Sequence, residues 1–184
     1  MEAPVLTWPA ELLLRAQGMR VAIFDVDGVL TDGGLYCSET GEGFKRFHTL
    51  DGYGVRALAR AGIVPVVISG RDSNALRARL ETLGVANFRL GSDEKLPAAE
   101  ALLVELGVDW TQVAAIGDDW PDLPVLRRAG FSCAPPNAHA EVRARVDHVT
   151  ALPGGMGAAR EFCDLLLVAG GHYRRLLEDA WGAT

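Results

Sequence analysis

The chain has no excess of positive charge, and that excludes the partners that need one. Its 18 Lys and Arg are outnumbered by 24 Asp and Glu across 184 residues, giving a net charge of −6. No Lys/Arg cluster interrupts the pattern, so a nucleic-acid backbone is not an expected partner. Cysteine is scarce as well. Cys37, Cys133 and Cys163 are odd in number and far apart, without the spacing of a zinc site or the density of a disulfide scaffold, which suits a reducing cytoplasm. No apolar run reaches the ~18 to 20 residues of a membrane helix, and residues 165–169 fall far short of it. The N-terminus has no basic segment leading into an apolar core and cleavage site, so neither membrane nor secretion is expected.

What is present is enough apolar sequence for one continuous core, and the length fits one domain over residues 1–184. The most informative stretch is Arg20 to Asp32. Val21 to Phe24 reads as a buried strand, because β-branched and aromatic residues suit a pleated surface covered on both faces. It ends abruptly in Asp25 and Asp27. Two acids one residue apart repel each other, and the crevice beyond the carboxyl ends of sheet strands is where ligands bind. Asp25 and Asp27 are therefore the candidate catalytic pair.

The rest of the chain alternates helix and strand. A short helix is expected over 10–17, then a β-hairpin flap within 33–48 around a Glu-Thr-Gly-Glu turn, and a helix over 51–61 stopped by Gly62. A strand over 63–68 runs into Ser69-Gly70-Arg71. Helix 72–83 and a strand near 88–90 follow, then a helix capped by Ser92 or Asp93 that carries Lys95 in its first turn. Strand 112–116 ends in Gly117-Asp118-Asp119. Helix 121–129, strand 131–134, helix 138–145, an edge strand at 147–150 and helix 157–168 complete the order, and a polar tail occupies about 170–184. This alternation implies an α/β fold, a doubly wound and mostly parallel sheet with helices on both faces.

Four element ends thus carry polar groups: Asp25 with Asp27, Ser69, Lys95, and Asp118 with Asp119. In a parallel sheet they converge on one edge. Singly, each has an ordinary explanation as a turn residue, a cap or a surface charge, and their joint order is the signal. The succession Asp-x-Asp-Gly-Val-x-Thr-Asp, strand to Ser-Gly-Arg, Lys, then Gly-Asp-Asp resembles the four motifs of the haloacid dehalogenase superfamily, magnesium-dependent phosphohydrolases.

That resemblance implies roles that the chemistry makes intelligible. A carboxylate attacking a phosphate dianion meets like charge, a repulsion on the order of several kcal/mol in a partly dry site. Asp25, Asp118 and the backbone carbonyl of Asp27 would hold Mg²⁺ through hard oxygen ligands, with Asp119 or Asp122 supporting a bound water. Lys95 would add a point charge against nucleophile and phosphate, and Ser69 with nearby N–H groups would bind a phosphoryl oxygen. Asp27 would protonate the leaving alkoxide and then activate water against the aspartyl-phosphate at Asp25. Response-regulator receivers gather similar groups around Mg²⁺, but a switch that preserves its aspartyl-phosphate has no need of Asp27.

The interval from Asp27 to Ser69 holds a hairpin and one helix, with no room for a separate cap domain. Phe47-His48-Thr49-Leu50-Asp51-Gly52-Tyr53-Gly54, Ser69-Gly70-Arg71, Gly117-Asp118-Asp119-Trp120-x-Asp122 and Gly154-Gly155-x-Gly157-Ala158-x-Arg160-Glu161 are similar to the branch of the superfamily that hydrolyses 3-deoxy-D-manno-octulosonate 8-phosphate. The likeness implies a sugar-acid phosphate as substrate, bound by Ser69, Gly70, Arg71, Arg79 and Lys95. It also implies a homotetramer whose hairpins, through Leu35, Tyr36, Phe44 and Phe47, form a shared barrel while neighbouring subunits cover each other's sites. His48 and His139 are read as packing and capping residues. Leu50 and Met156 stand where that branch has basic residues. These departures leave the sugar open, including a related acid or a smaller phosphate ester.

Overall fold

Strand β1 (Val21–Phe24) is apolar without alternation because both of its faces are covered. Ala22 and Phe24 pack into one apolar cluster, and Val21 and Ile23 into another on the opposite side of the sheet. The computed structural model describes residues 5–39, 41–92 and 94–182. Around β1 lie β4 (Val64–Ser69), β5 (Asn87–Leu90), β6 (Val113–Ile116), β7 (Phe131–Ala134) and β8 (His148–Val149), in the order β5-β4-β1-β6-β7-β8. All five pairings are parallel. β2 (Tyr36–Ser38) and β3 (Gly41–Phe44) form a separate antiparallel hairpin. The expected turn residue Thr40 lies outside the described residues.

The register explains the site. Phe24 stands level with Val67 of β4 and Ile116 of β6. The next residues of the three strands, Asp25, Ile68 leading to Ser69, and Gly117 leading to Asp118, therefore emerge at one height on one edge. Pro65 is tolerated inside this sheet because β5 begins to pair only opposite Val66, where Asn87 stands. Its missing N–H therefore falls where no ladder partner waits.

Helices cover both faces, as the βαβ alternation requires. α2 (Thr49–Arg60), α3 (Asn74–Leu83) and α7 (Ala158–Ala169) bury Leu58, Leu80 and Phe162 against the first cluster. The Phe24 and Phe162 rings meet edge to face at 5.5 Å. α4 (Lys95–Leu106), α5 (Leu123–Arg128) and α6 (Ala140–Arg143) bury Leu102, Leu126 and Val142 against the second. Asp51, at the start of α2, accepts the Arg160 N–H at 2.8 Å and so ties the first turns of α2 and α7 together. α1 (Ala10–Arg15) lies outside the sheet.

Two segments differ from the sequence reading. The polar tail contains a further helix, α8 (Tyr173–Trp181), which buries Leu176. The helix expected over 138–145 covers only Ala140–Arg143, and His139 caps its start by accepting the Glu141 N–H at its ring Nδ1. Among the described residues no helix is long and apolar enough to cross a membrane. Among the described residues no cap domain separates Asp27 from Ser69; a helical turn over Val26–Leu30, the hairpin and α2 lead to β4.

Candidate active site

Asp25 leaves β1 with its amide still in the sheet, donating to the Ile116 carbonyl at 3.1 Å, so its carboxylate stands on a fixed backbone. The chain then turns sharply. Gly28 takes φ +94°, a left-handed conformation that costs residues with a side chain. A Cβ there would also lie 1.9 Å from Asp118 Oδ2. The absence of a side chain is what allows the acid loop and the Gly-Asp-Asp loop to approach.

Lys95 opens α4 and is buried, with its ammonium 2.5 Å from Asp25 Oδ1 and 2.6 Å from Asp122 Oδ1. Burial alone would push the ammonium pKa down, but the two carboxylates more than offset this and raise it. Asp122 accepts the Asp118 and Asp119 N–H groups through Oδ2, at 3.0 and 3.2 Å. It thereby holds the Gly-Asp-Asp turn while orienting Lys95. Asp25, Asp118 and Asp122 offer oxygens within 4.8 Å of one another.

So dense a set of acids is electrostatically incomplete. Burial raises the Asp25 carboxyl well above its ordinary range, and repulsion from Asp122 adds to it against the pull of Lys95. Asp118 is pushed up to about 7, first by burial and then by Asp122. Hard carboxylate oxygens crowded this closely, their proton affinity raised by burial and mutual repulsion, suit a divalent cation of the magnesium kind.

Asp27 keeps about a quarter of its side chain open to the cleft, and two cations face it. Lys45 Nζ lies 2.6 Å from Oδ1, and Arg71 Nε stands 3.7 Å from Oδ2. Ser69 is buried at the end of β4, its Oγ accepting the Arg71 N–H at 3.1 Å. Asp25, Asp27, Ser69, Gly70, Arg71, Lys95, Asp118, Asp119 and Asp122 all line one open cleft of about 470 Å³. That volume lies within the range of small-molecule sites.

Arg79 does not line this cleft. Its guanidinium donates to the His48 carbonyl at 3.3 Å and lies over the Phe47 ring. α3 begins at Asn74, where Ser73 caps it by accepting the Leu76 N–H, so Arg71 lies before the helix and Arg79 within it. Ser92 donates its hydroxyl to the Glu94 carbonyl and does not cap α4. Asp93 lies outside the described residues.

Motif reading did not single out Lys45, Arg46 or Asn137. Asn137 bridges two loops, donating to the Gly28 carbonyl and accepting the Gly154 N–H at 2.7 Å. Arg46 reaches Asp32, the Gly155 carbonyl and Met156 Sδ. For Lys45 a signal was available in composition: lysine occurs in this chain only at 45 and 95.

Residues 90–159 match the model of the haloacid dehalogenase-like hydrolases. The chain is 41% identical over 175 residues, 95% of its length and 91% of the relative's, to 3-deoxy-D-manno-octulosonate 8-phosphate phosphatase KdsC of Escherichia coli strain K12. A probable YrbI family phosphatase from Pseudomonas syringae pv. phaseolica 1448a superposes with a TM-score of 0.91 at 43% identity, over 93% of this chain and 97% of the other. The 3-deoxy-D-manno-octulosonate 8-phosphate phosphatase of Moraxella catarrhalis, solved with a magnesium ion, a phosphate ion and KDO, superposes with a TM-score of 0.90 at 36% identity, over 94% and 99%. Taken with the level strand ends and the acids gathered on them, these likenesses place the chain in the haloacid dehalogenase superfamily, among its KdsC-type phosphatases.

Proposed function

We propose that the chain, acting as one domain, is a magnesium-dependent phosphomonoesterase that works through an aspartyl-phosphate at Asp25 and acts on 3-deoxy-D-manno-octulosonate 8-phosphate or a related sugar-acid phosphate. The observation that carries this reading is the Lys95 ammonium bridging Asp25 and Asp122 beside Asp118. A carboxylate so held keeps a face toward the cleft while its charge is balanced from behind.

Asp25, Asp118 and the Asp27 carbonyl would hold Mg²⁺, which when bound offsets the charge of the phosphoryl group. The Ser69 hydroxyl and the Gly70 N–H donate to phosphoryl oxygens, and Arg71 stands ready for a sugar carboxylate. Asp25 attacks phosphorus, and the bond to the ester oxygen breaks with its electron pair. Asp27 gives that oxygen a proton. Water then attacks phosphorus, gives its proton to Asp27 and frees phosphate from Asp25, which regenerates both acids. A receiver-like switch is disfavoured because Asp27 shortens the life of the intermediate.

Phosphate release from a panel of sugar-acid phosphates should require Mg²⁺ and stop in EDTA. A preference for octulosonate 8-phosphate below about tenfold, ~1.4 kcal/mol in transition-state binding, would sink the specific substrate. Leu35, Tyr36 and Phe44 stand exposed on the hairpin, with Tyr36 and Phe44 stacked at 4.6 Å, and they suit the contact surface of a homotetramer. A monomer on sizing would remove that part of the reading. Three free thiols suit the reducing cytoplasm.

A further inference from the structure

Where the chain needs a cation it uses arginine sixteen times and lysine twice, and both lysines meet the Asp-x-Asp pair. Lys95 holds Asp25 at 2.5 Å and Lys45 holds Asp27 at 2.6 Å. Arginine is a planar fork suited to exposed and bidentate contacts, whereas an ammonium is a compact point charge. Lys95 is accounted for by the nucleophile. Lys45 comes from a different part of the chain, just after the hairpin, and crosses to the second acid.

The two burials are unequal in an informative way. The Lys45 side chain is 2% exposed and the Asp27 side chain 23%. Withdrawing an ammonium from water is costly unless a carboxylate meets it, and here the cation is fully withdrawn while the acid keeps an open face. A mere brace for the hairpin has a cheaper form one residue later, where Arg46 pairs with Asp32 with both side chains partly in solvent. Lys45 is thus directed at the acid that must exchange protons.

We propose that Lys45 is a positioning residue for Asp27. Its ammonium holds Oδ1 and Arg71 stands 3.7 Å from Oδ2, so the carboxyl group is fixed while part of it stays open to the cleft. The hairpin therefore belongs to the proton-transfer apparatus as well as to the contact surface. The inference rests on the acid and base role given to Asp27 above. In that role Asp27 gives its proton to the ester oxygen as the phosphorus–oxygen bond breaks, and takes one from the attacking water in the second step.

The test uses the leaving group. Lys45→Met and Lys45→Gln, checked for folding by circular dichroism, are compared with wild type on a sugar-acid phosphate and on 4-nitrophenyl phosphate. Alkoxide departure needs the proton and nitrophenolate departure does not. Since general acid catalysis contributes roughly 10² to 10⁴ in rate, loss of positioning should lower kcat on the sugar ester by about thirtyfold or more with KM little changed. The rapid first burst of nitrophenol should stay within about threefold of wild type, followed by a slowed steady state. Loss of the nitrophenol burst as large as the loss of kcat on the sugar ester, or no loss on either, would overturn the proposal. Asp27→Asn runs beside them as a control. If it loses the burst as fully as the sugar reaction, the role given to Asp27 fails; if it shows the leaving-group pattern and the Lys45 variants do not, only the role of Lys45 fails.

Discussion

Gly28 and Asp118 occupy each other's space: a Cβ on Gly28 would fall 1.9 Å from Asp118 Oδ2. Two loops far apart in sequence are thus fitted together through a missing side chain. Gly28→Ala should cost about 1–2 kcal/mol for its left-handed backbone alone. Displacement of Asp118 should lower kcat by about a hundredfold, since a shift of about 1 Å in a catalytic site has that scale of effect. Urea unfolding and phosphate release check the two parts, and a variant matching wild type in both would show that the loops do not depend on this contact.

Asp118 makes the acid cluster sensitive to pH. Its carboxyl, ordinarily at 3.8, is pushed up to about 7 by burial and by Asp122, so between these values the folded chain keeps a proton that the unfolded chain has released. This group's contribution to stability is therefore lost as pH rises from about 4 to about 7. A cation competes with the same proton. The rise in melting temperature on adding Mg²⁺ to EDTA-treated protein should be larger at about pH 8 than at about pH 5. An equal rise at both would show that the ion binds elsewhere.

Lys95→Met leaves Asp25 and Asp122 buried and facing each other without their shared cation. Removing one partner from a buried pair typically costs about 3–5 kcal/mol. Urea unfolding at neutral pH should show a loss of that size, shrinking in acid as the carboxyls take up protons. Activity should fall by about 10² or more, the usual scale for a missing electrostatic stabiliser. Unchanged stability would mean that the ammonium does not balance these acids.

Arg46 places a guanidinium 3.3 Å from Met156 Sδ, at a loop position where the KdsC-like pattern leads one to expect a basic residue. Arg46→Ala should raise KM for a sugar-acid phosphate by roughly three- to tenfold, up to ~1.4 kcal/mol, with kcat changed little. A KM unchanged across the substrate panel would leave Arg46 only its contacts to Asp32 and the Gly155 carbonyl.

The site was legible in the sequence wherever chemistry coincides with the end of a regular element. Val21 to Phe24 stops at acids, Ile116 stops at Gly117-Asp118, and parallel pairing brings these ends to one height whatever lies between them. Lys45 was not legible by that route, because its meeting with Asp27 depends on where the hairpin folds back. Arg79 stands within α3 against the His48 carbonyl, a contact that no spacing along the chain announces. α8 escaped notice because so much of its surface is polar, its one buried residue being Leu176.

The nucleophilic role of Asp25 is the central claim, and it can be read from the protein itself. Enzyme turning over a sugar-acid phosphate with Mg²⁺ is quenched in acid, digested, and searched for phosphate by mass spectrometry. The expected result is a phosphoryl group on the peptide carrying Asp25, absent from Asp25→Asn, which should also release no phosphate. Undiminished turnover by Asp25→Asn, or a phosphoryl group carried on another residue, would contradict it.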